Sequence, residues 1–291
     1  MSRLARVTSA LLTAGLVAAW PASGADKRAA IPIFSPDSTI GWIAGVPDSA
    51  APIGQEFLPP LSGPGPVTFD KAHPYVDDGA ARRNGTQPTF RVADLTNPIL
   101  QPWVKDALRK ANERVLAGKA AFTPKERCWP NGVPGFLLYP VTPVYFLQTP
   151  KEVLLIWEED RMVRHVYLTD RHSANPKPSW FGESIGHYEN GDTLVVDTIG
   201  LNDKTFVDNF RTPHTTKLHV VERFRLSDGG KSLDVDVHVE DPGAFTMPWN
   251  ARQHYRRTTD GPMIEKVCAE NNANWFGYDV DPIPQANKPD F

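Results

Sequence analysis

Beyond residue 128 the chain runs in short alternations of apolar and polar positions, the period-two pattern of half-buried β-strands. The segment 232–240 is the cleanest: Leu233, Val235, Val237 and Val239 fall on one side, Asp234, Asp236, His238 and Glu240 on the other. Comparable strands are expected over 136–139, 144–148, 153–159, 162–168, 182–189, 193–199, 218–226 and 252–258, separated by turn residues such as Asp228-Gly229-Gly230 and Glu159-Asp160-Arg161. Asn190-Gly191 is the strongest turn signal, because both central residues of a type I′ turn need positive φ. A two-residue turn there would set Glu189 opposite Asp192 and His187 opposite Leu194, so that the imidazole shares the apolar face of Leu194 and Val196. Strands this short and closely spaced predict a mainly β domain over 128–268, an antiparallel meander that closes into a barrel or curls into a sandwich. The barrel is the expected form, and about eight strands would enclose room for one small ligand.

The region 26–127 is patterned differently. Leu58-Pro59-Pro60-Leu61-Ser62-Gly63-Pro64-Gly65-Pro66 is its extreme: proline removes backbone donors and glycine resists ordering, so an extended arm is expected rather than a domain. Ile31, Ile33, Phe34, Trp42, Phe57 and Phe69 give the arm apolar side chains with which to pack. One helix interrupts it over 98–117. Asn97 can cap it, Pro98 suits the first helical position, Ile99, Trp103, Leu108, Val115 and Leu116 recur near helical spacing, and Gly118 stops it. Its charged positions read as a solvated face, and it is expected to cover one end of the main domain. The tail 269–291, with spaced prolines, reads as a second wrapping arm.

Composition adds a compartment. Arg3 and Arg6 precede an apolar run, and Pro21-Ala22-Ser23-Gly24-Ala25 supplies small residues for cleavage, so 1–25 is expected to be a signal peptide cut near Ala25. No segment approaches the roughly 20 apolar residues that a spanning helix needs. A periplasmic or secreted protein without a membrane span follows. Removing the leader leaves 29 basic and 34 acidic residues, a formal charge of −5, which gives no electrostatic reason to seek nucleic acid. The two cysteines, Cys128 and Cys268, invite pairing in an oxidising compartment, with two buried thiols as the other reading. Closing so long a loop would contribute about 5 kcal/mol in the chain-entropy model.

Candidate chemistry centres on 218–226, where alternation sets Glu222 among Leu218, Val220, Phe224 and Leu226. A carboxylate in such company either pairs with a cation, for which Arg257 is a candidate, or carries a raised pKa that suits acid–base work. His187, on the hairpin, and His214, on the turn Thr212-Pro213-His214-Thr215, are its candidate partners; the alternative reading is a satisfied core histidine for the first and an exposed loop histidine for the second. The three do not have the spacing of a metal motif, and no metal or other cofactor is expected. Arg171 could hold an anionic or polar substituent. Asp197, in an apolar strand, is expected to orient a neighbour. Trp157, Tyr188, Trp249 and Tyr255 are candidate walls of an apolar pocket. A Gly-rich phosphate loop, a His-Glu-x-x-His pair and a Cys-x-x-Cys pair are all missing from the sequence, which argues against the corresponding enzyme classes.

Gly186-His187-Tyr188-Glu189-Asn190-Gly191-Asp192-Thr193-Leu194-Val195-Val196-Asp197-Thr198-Ile199-Gly200, with Pro213-His214 and Leu218-His219-Val220-Val221-Glu222-Arg223-Phe224, resembles a large family of exported bacterial proteins. Cys128-Trp129-Pro130-Asn131-Gly132-Val133-Pro134, Asp241-Pro242 and Pro248-Trp249 extend the resemblance across 128–268; family members usually carry a tryptophan where Tyr188 stands. The resemblance implies no activity and no catalytic role. In outline the expected barrel is similar to lipocalin-type calycins. The residues thus lead to two main expectations, beside a third class, an envelope structural protein whose interior is filled by its own side chains. One is a cofactor-independent hydratase, lyase or isomerase in which Glu222 moves a proton of an apolar small molecule, of aromatic or terpenoid type, with His187 or His214 as partner. The other is a non-catalytic carrier of such a molecule. Oligomeric state is not legible.

Overall fold

The computed structural model describes residues 31–45, 56–74, 91–119, 123–124, 128–138, 142–159, 162–258 and 261–268. The expected leader over 1–25 and tail over 269–291 lie outside them. Nine strands form a closed barrel in sequence order: β1 (Gly41–Ala44), β2 (Val144–Gln148), β3 (Glu152–Trp157), β4 (Val163–Tyr167), β5 (Glu183–Glu189), β6 (Thr193–Ile199), β7 (His219–Ser227), β8 (Ser232–Glu240) and β9 (Trp249–Thr258). The predicted strand 136–139 is instead a short 3-10 helix, Gly135–Leu138, with all four residues buried. An unbroken apolar run does not alternate, and Phe136 sits with its ring centroid 4.7 Å from that of Trp157 on the barrel's inner side.

Two features depart from a simple meander. First, β4 and β5 are parallel, paired through Val166 with Ser184 and Tyr167 with Ile185, whereas every other neighbouring pair is antiparallel. A parallel pair cannot be joined by a tight turn, so the chain over 168–182 crosses back along the outside. Gly186 permits the close approach of β4: a Cβ there would lie 2.7 Å from Val166 Cγ1 and 3.0 Å from the Val195 carbonyl oxygen.

Second, the barrel is not confined to 128–268. Its first strand comes from the arm, pairing Gly41, Trp42, Ile43 and Ala44 with Thr258, Arg257, Arg256 and Tyr255. Where this short strand runs out, Leu58 continues along the β9 edge, exchanging backbone hydrogen bonds with Arg252 (2.8 and 3.0 Å), and the Asn250 amide donates to the Pro64 carbonyl (3.1 Å). An exposed edge is thereby covered. Phe34, Trp42, Phe57 and Val67 are buried in the common core, while Ile31 and Ile33 remain exposed.

Helix α1 spans Pro102–Leu116, starting a turn later than the sequence suggests. The Asn97 side chain accepts from the Ile99 amide and donates to the carbonyls of Gly65 and Pro66, holding 97–100 as a turn, so Gln101 becomes the N-cap and Pro102 the first helical residue. Its end is a Schellman motif: Gly118, at φ 75°, donates to Val115 and Lys119 donates to Arg114. Val104, Leu108, Asn112 and Val115 are buried, whereas Trp103 and Leu116 are exposed. Among the described residues no helix is long and apolar enough to cross a membrane. Cys128 and Cys268 form a disulfide, with Cα atoms 5.5 Å apart, closing a loop across 140 positions.

Candidate functional site

Alternation along β4 sends Arg164 inward beside Val166. Its Nε donates to Ser184 Oγ (3.1 Å), one terminal nitrogen to Glu222 Oε1 (3.0 Å), and the other to Thr198 Oγ1 (2.8 Å) and Glu222 Oε2. The Ser184 and Thr198 hydroxyls lie 2.9 Å apart. All four residues are cut off from solvent. This is the bidentate fork that guanidinium and carboxylate geometry favour. Glu222 is therefore inward-facing as expected, but its partner is Arg164. Arg257, the expected cation, stacks on Trp42 with its Cζ 5.5 Å from the ring centroid.

The hairpin explains why His187 is not beside Glu222. The turn forms as its residues dictate, with Asn190 at φ 52°, Gly191 at φ 74° and the Asp192 amide donating to the Glu189 carbonyl (3.2 Å). The ladder, however, begins with Glu189 opposite Thr193, leaving Asp192 as an extra residue. Tyr188 then faces Leu194 and His187 faces Val195. A slip of one residue exchanges the two faces of a strand. The His187 side chain is 62% exposed on the outer wall, 3.2 Å from Glu189 Oε1.

His214 is buried but engaged elsewhere. Its Nδ1 lies 3.1 Å from the Thr215 carbonyl, which can only accept, so Nδ1 carries the proton and Nε2 accepts from the Thr205 hydroxyl (2.9 Å). Burial holds this imidazole below its ordinary pKa, so the neutral ring is favoured. Arg171 is exposed on the outer crossover 168–182 and does not face the interior. The structure thus separates His187 and Arg171 from Glu222 by the barrel wall. Among the described residues no group of three or more His, Cys, Asp or Glu is arranged to hold a metal ion.

The aromatic candidates take inward-facing positions but are spread along the barrel: Trp157 stands opposite Val144 at one end of β2, Tyr188 meets Gln148 at the other, and Trp249 and Tyr255 lie near opposite ends of β9. Trp157 is buried and donates to the Thr142 carbonyl (3.1 Å). Half-buried Tyr188 accepts from Gln148 Nε2 (2.8 Å), and burial raises its phenol pKa. Tyr255 donates to the Leu137 carbonyl; burial, and then the negative charge of Glu222, push its pKa well above the ordinary tyrosine range.

Trp249 is buried between Phe57 and Phe245, each with its ring centroid 6.0 Å away, and its Nε1 meets no acceptor among the described residues. Four residues along β9 on the same face, past the small side chain of Ala251, Gln253 is in the same condition. Its Oε1 accepts from the His254 amide (3.0 Å), but its buried Nε2 has no partner among the described residues. Sequence reasoning passed over Gln253 and Arg164. The signal for both was alternation, which aligns Gln253 with Trp249 and Tyr255, and Arg164 with Met162 and Val166.

No family model matches this chain, and no curated protein matches it. Among solved structures it resembles the crystal structure of a mutant of the fluorescent protein UnaG, at 14% identity over 42% of this chain and 76% of that one, with a TM-score of 0.24. So slight a likeness carries no argument here.

Proposed function

We propose that the protein is a non-catalytic carrier whose barrel takes up a largely apolar small molecule bearing hydrogen-bond acceptors. The observation that carries this reading is the pair of buried donors on the inner face of β9, Trp249 Nε1 and Gln253 Nε2, which lack acceptors within the described fold. A buried donor left unpaired costs about 1–3 kcal/mol, so a site of this kind favours a guest that supplies a carbonyl, ether or carboxylate oxygen. Phe57 and Phe245, whose ring centroids lie 6.0 Å from that of Trp249, supply aromatic surroundings at that end of β9. The acid–base reading is supported less well: both oxygens of Glu222 are engaged by Arg164, and neither His187 nor His214 hydrogen-bonds to it.

A thermal-shift screen of apolar compounds with and without acceptor oxygens, followed by mass spectrometry of the recovered compound, tests the reading. Oxygen-bearing compounds are expected to raise Tm, with a gain of about 2.7 kcal/mol at a hundredfold excess over Kd, and to be recovered unchanged. Trp249→Phe and Gln253→Leu are expected to weaken binding about tenfold each. Chemically altered compound would replace the carrier by an enzyme. Absence of any stabilisation would leave neither.

A further inference from the structure

A second polar arrangement lies on the outer wall, where the crossover 168–182 passes over β5 and β6. The far half of the crossover is held by packing and pairing. The Trp180 and Phe181 rings lie 5.3 and 6.0 Å from those of Trp129 and Phe136, and Ser179 bonds through its backbone to Gly200 and Asn202 (3.0 and 2.8 Å). The near half is different. Of residues 169–175, His172 alone is withdrawn from solvent.

His172 Nδ1 lies 3.1 Å from Glu183 Oε1 on β5, which also accepts from the Ser173 amide (2.7 Å), and its Nε2 lies 2.9 Å from Asp197 Oδ1 on β6. The same Asp197 oxygen faces His219 Nε2 on β7 (3.1 Å), whose Nδ1 is 3.5 Å from Glu240 Oε2 on β8. Glu240 Oε1 in turn meets His238 Nε2 (2.9 Å), whose Nδ1 is 2.7 Å from Asn250 Oδ1 on β9. The crossover's own charged groups here, Asp170 and Arg171, are exposed.

A carboxylate oxygen accepts and never donates. An imidazole set between two carboxylates satisfies both only with a proton on each nitrogen; as the neutral ring it turns a lone pair on one of them. His172 and His219 both stand in this position. We propose that Glu183, His172, Asp197, His219 and Glu240 form a pH-operated latch, in which protonated imidazoles clasp residues 169–175 to the barrel wall and loss of their protons frees that segment while the barrel stays folded.

The electrostatics agree in sign. The hydrogen bond to Asp197 raises the His219 pKa, so its stabilisation is complete at low pH and is lost as pH climbs through the raised value. Hydrogen bonds to Asp197 (chiefly His219), Glu183 (chiefly Ser173) and Glu240 (chiefly His238) lower those carboxylates, so their contribution fails only below the ordinary carboxylate range of about 4. The latch is closed in mildly acidic solution and opens on the alkaline side.

Hydrogen exchange read by mass spectrometry on the full disulfide-bonded chain, corrected for intrinsic amide rates, tests this. In peptides spanning Ser173, the Ser173 amide that donates to Glu183 is expected to be protected at about pH 5.5 and to lose protection about tenfold by about pH 8.5, the equivalent of one pKa unit, while peptides from β8 stay unchanged. His172→Gln is expected to leave that amide equally unprotected at both values. Protection that ignores pH in the wild type, or pH dependence that persists in His172→Gln, would overturn the latch. Should the variant fail to fold, ¹⁵N spectra of the wild-type imidazoles decide: His219 is expected to stay doubly protonated to higher pH than an ordinary imidazole, and a neutral His219 ring in mildly acidic solution rejects the proposal.

Discussion

Glu222 is fully buried, and the cost of stripping water from a carboxylate is met here by the forked contact with Arg164 and by the neighbouring Ser184 and Thr198 hydroxyls. Removing one partner leaves the other charged and unpaired. Glu222→Gln is expected to cost about 3–5 kcal/mol in urea unfolding, whereas the double replacement Glu222→Leu with Arg164→Met should cost far less or nothing. A double-mutant cycle measures the difference. The inward orientation of Glu222 was legible in the sequence because strand alternation forces it. Its partner was not, because the choice between Arg164 and Arg257 depends on which strands meet across the barrel. Trp249 and Gln253 offer the converse case: in the unliganded protein Trp249→Phe and Gln253→Leu each remove a buried donor that has no acceptor among the described residues, and are expected to be neutral or to stabilise by about 1 kcal/mol.

Among the elements, β2, β6 and β8 run over the residues expected of them, each with a proline or glycine close to at least one end: Pro143 and Pro150, Gly191 and Gly200, and Gly230 and Pro242. The β5–β6 hairpin shows where such reading stops. Asn190 and Gly191 dictate the turn, but the extra residue Asp192 is a decision of the ladder, taken across two strands, and it carried His187 to the outside. Replacing Asn190, at φ 52°, by Ala is expected to destabilise by about 1 kcal/mol, because an ordinary side chain resists that conformation. Gly186→Ala places a methyl against Val166 and is expected to cost about 1–3 kcal/mol, the usual penalty for overpacking. Nothing in the local sequence announced that β4 and β5 would lie parallel; it follows from the length and route of the crossover.

For the molecule as a whole, a mainly β barrel with an arm packed around it was readable from texture, yet the arm's gift of a strand was not, since Gly41–Ala44 is four residues long and lies between proline-rich stretches. The Cys128–Cys268 bridge ties the start of the 3-10 region to the chain beyond β9. Replacing both cysteines by serine is expected to lower stability by up to about 5 kcal/mol, checked by denaturant unfolding of wild type and variant in parallel.

The meeting of β1 with β9 sets an order of events in assembly. The staves from β2 to β8 can associate as they leave the ribosome or translocation channel, but the ring has no means of closing until the last stave arrives to receive one synthesised some two hundred residues earlier. Until that moment both margins of the growing sheet are bare, so a chaperone that shields strand margins would act on this protein late in its synthesis rather than early.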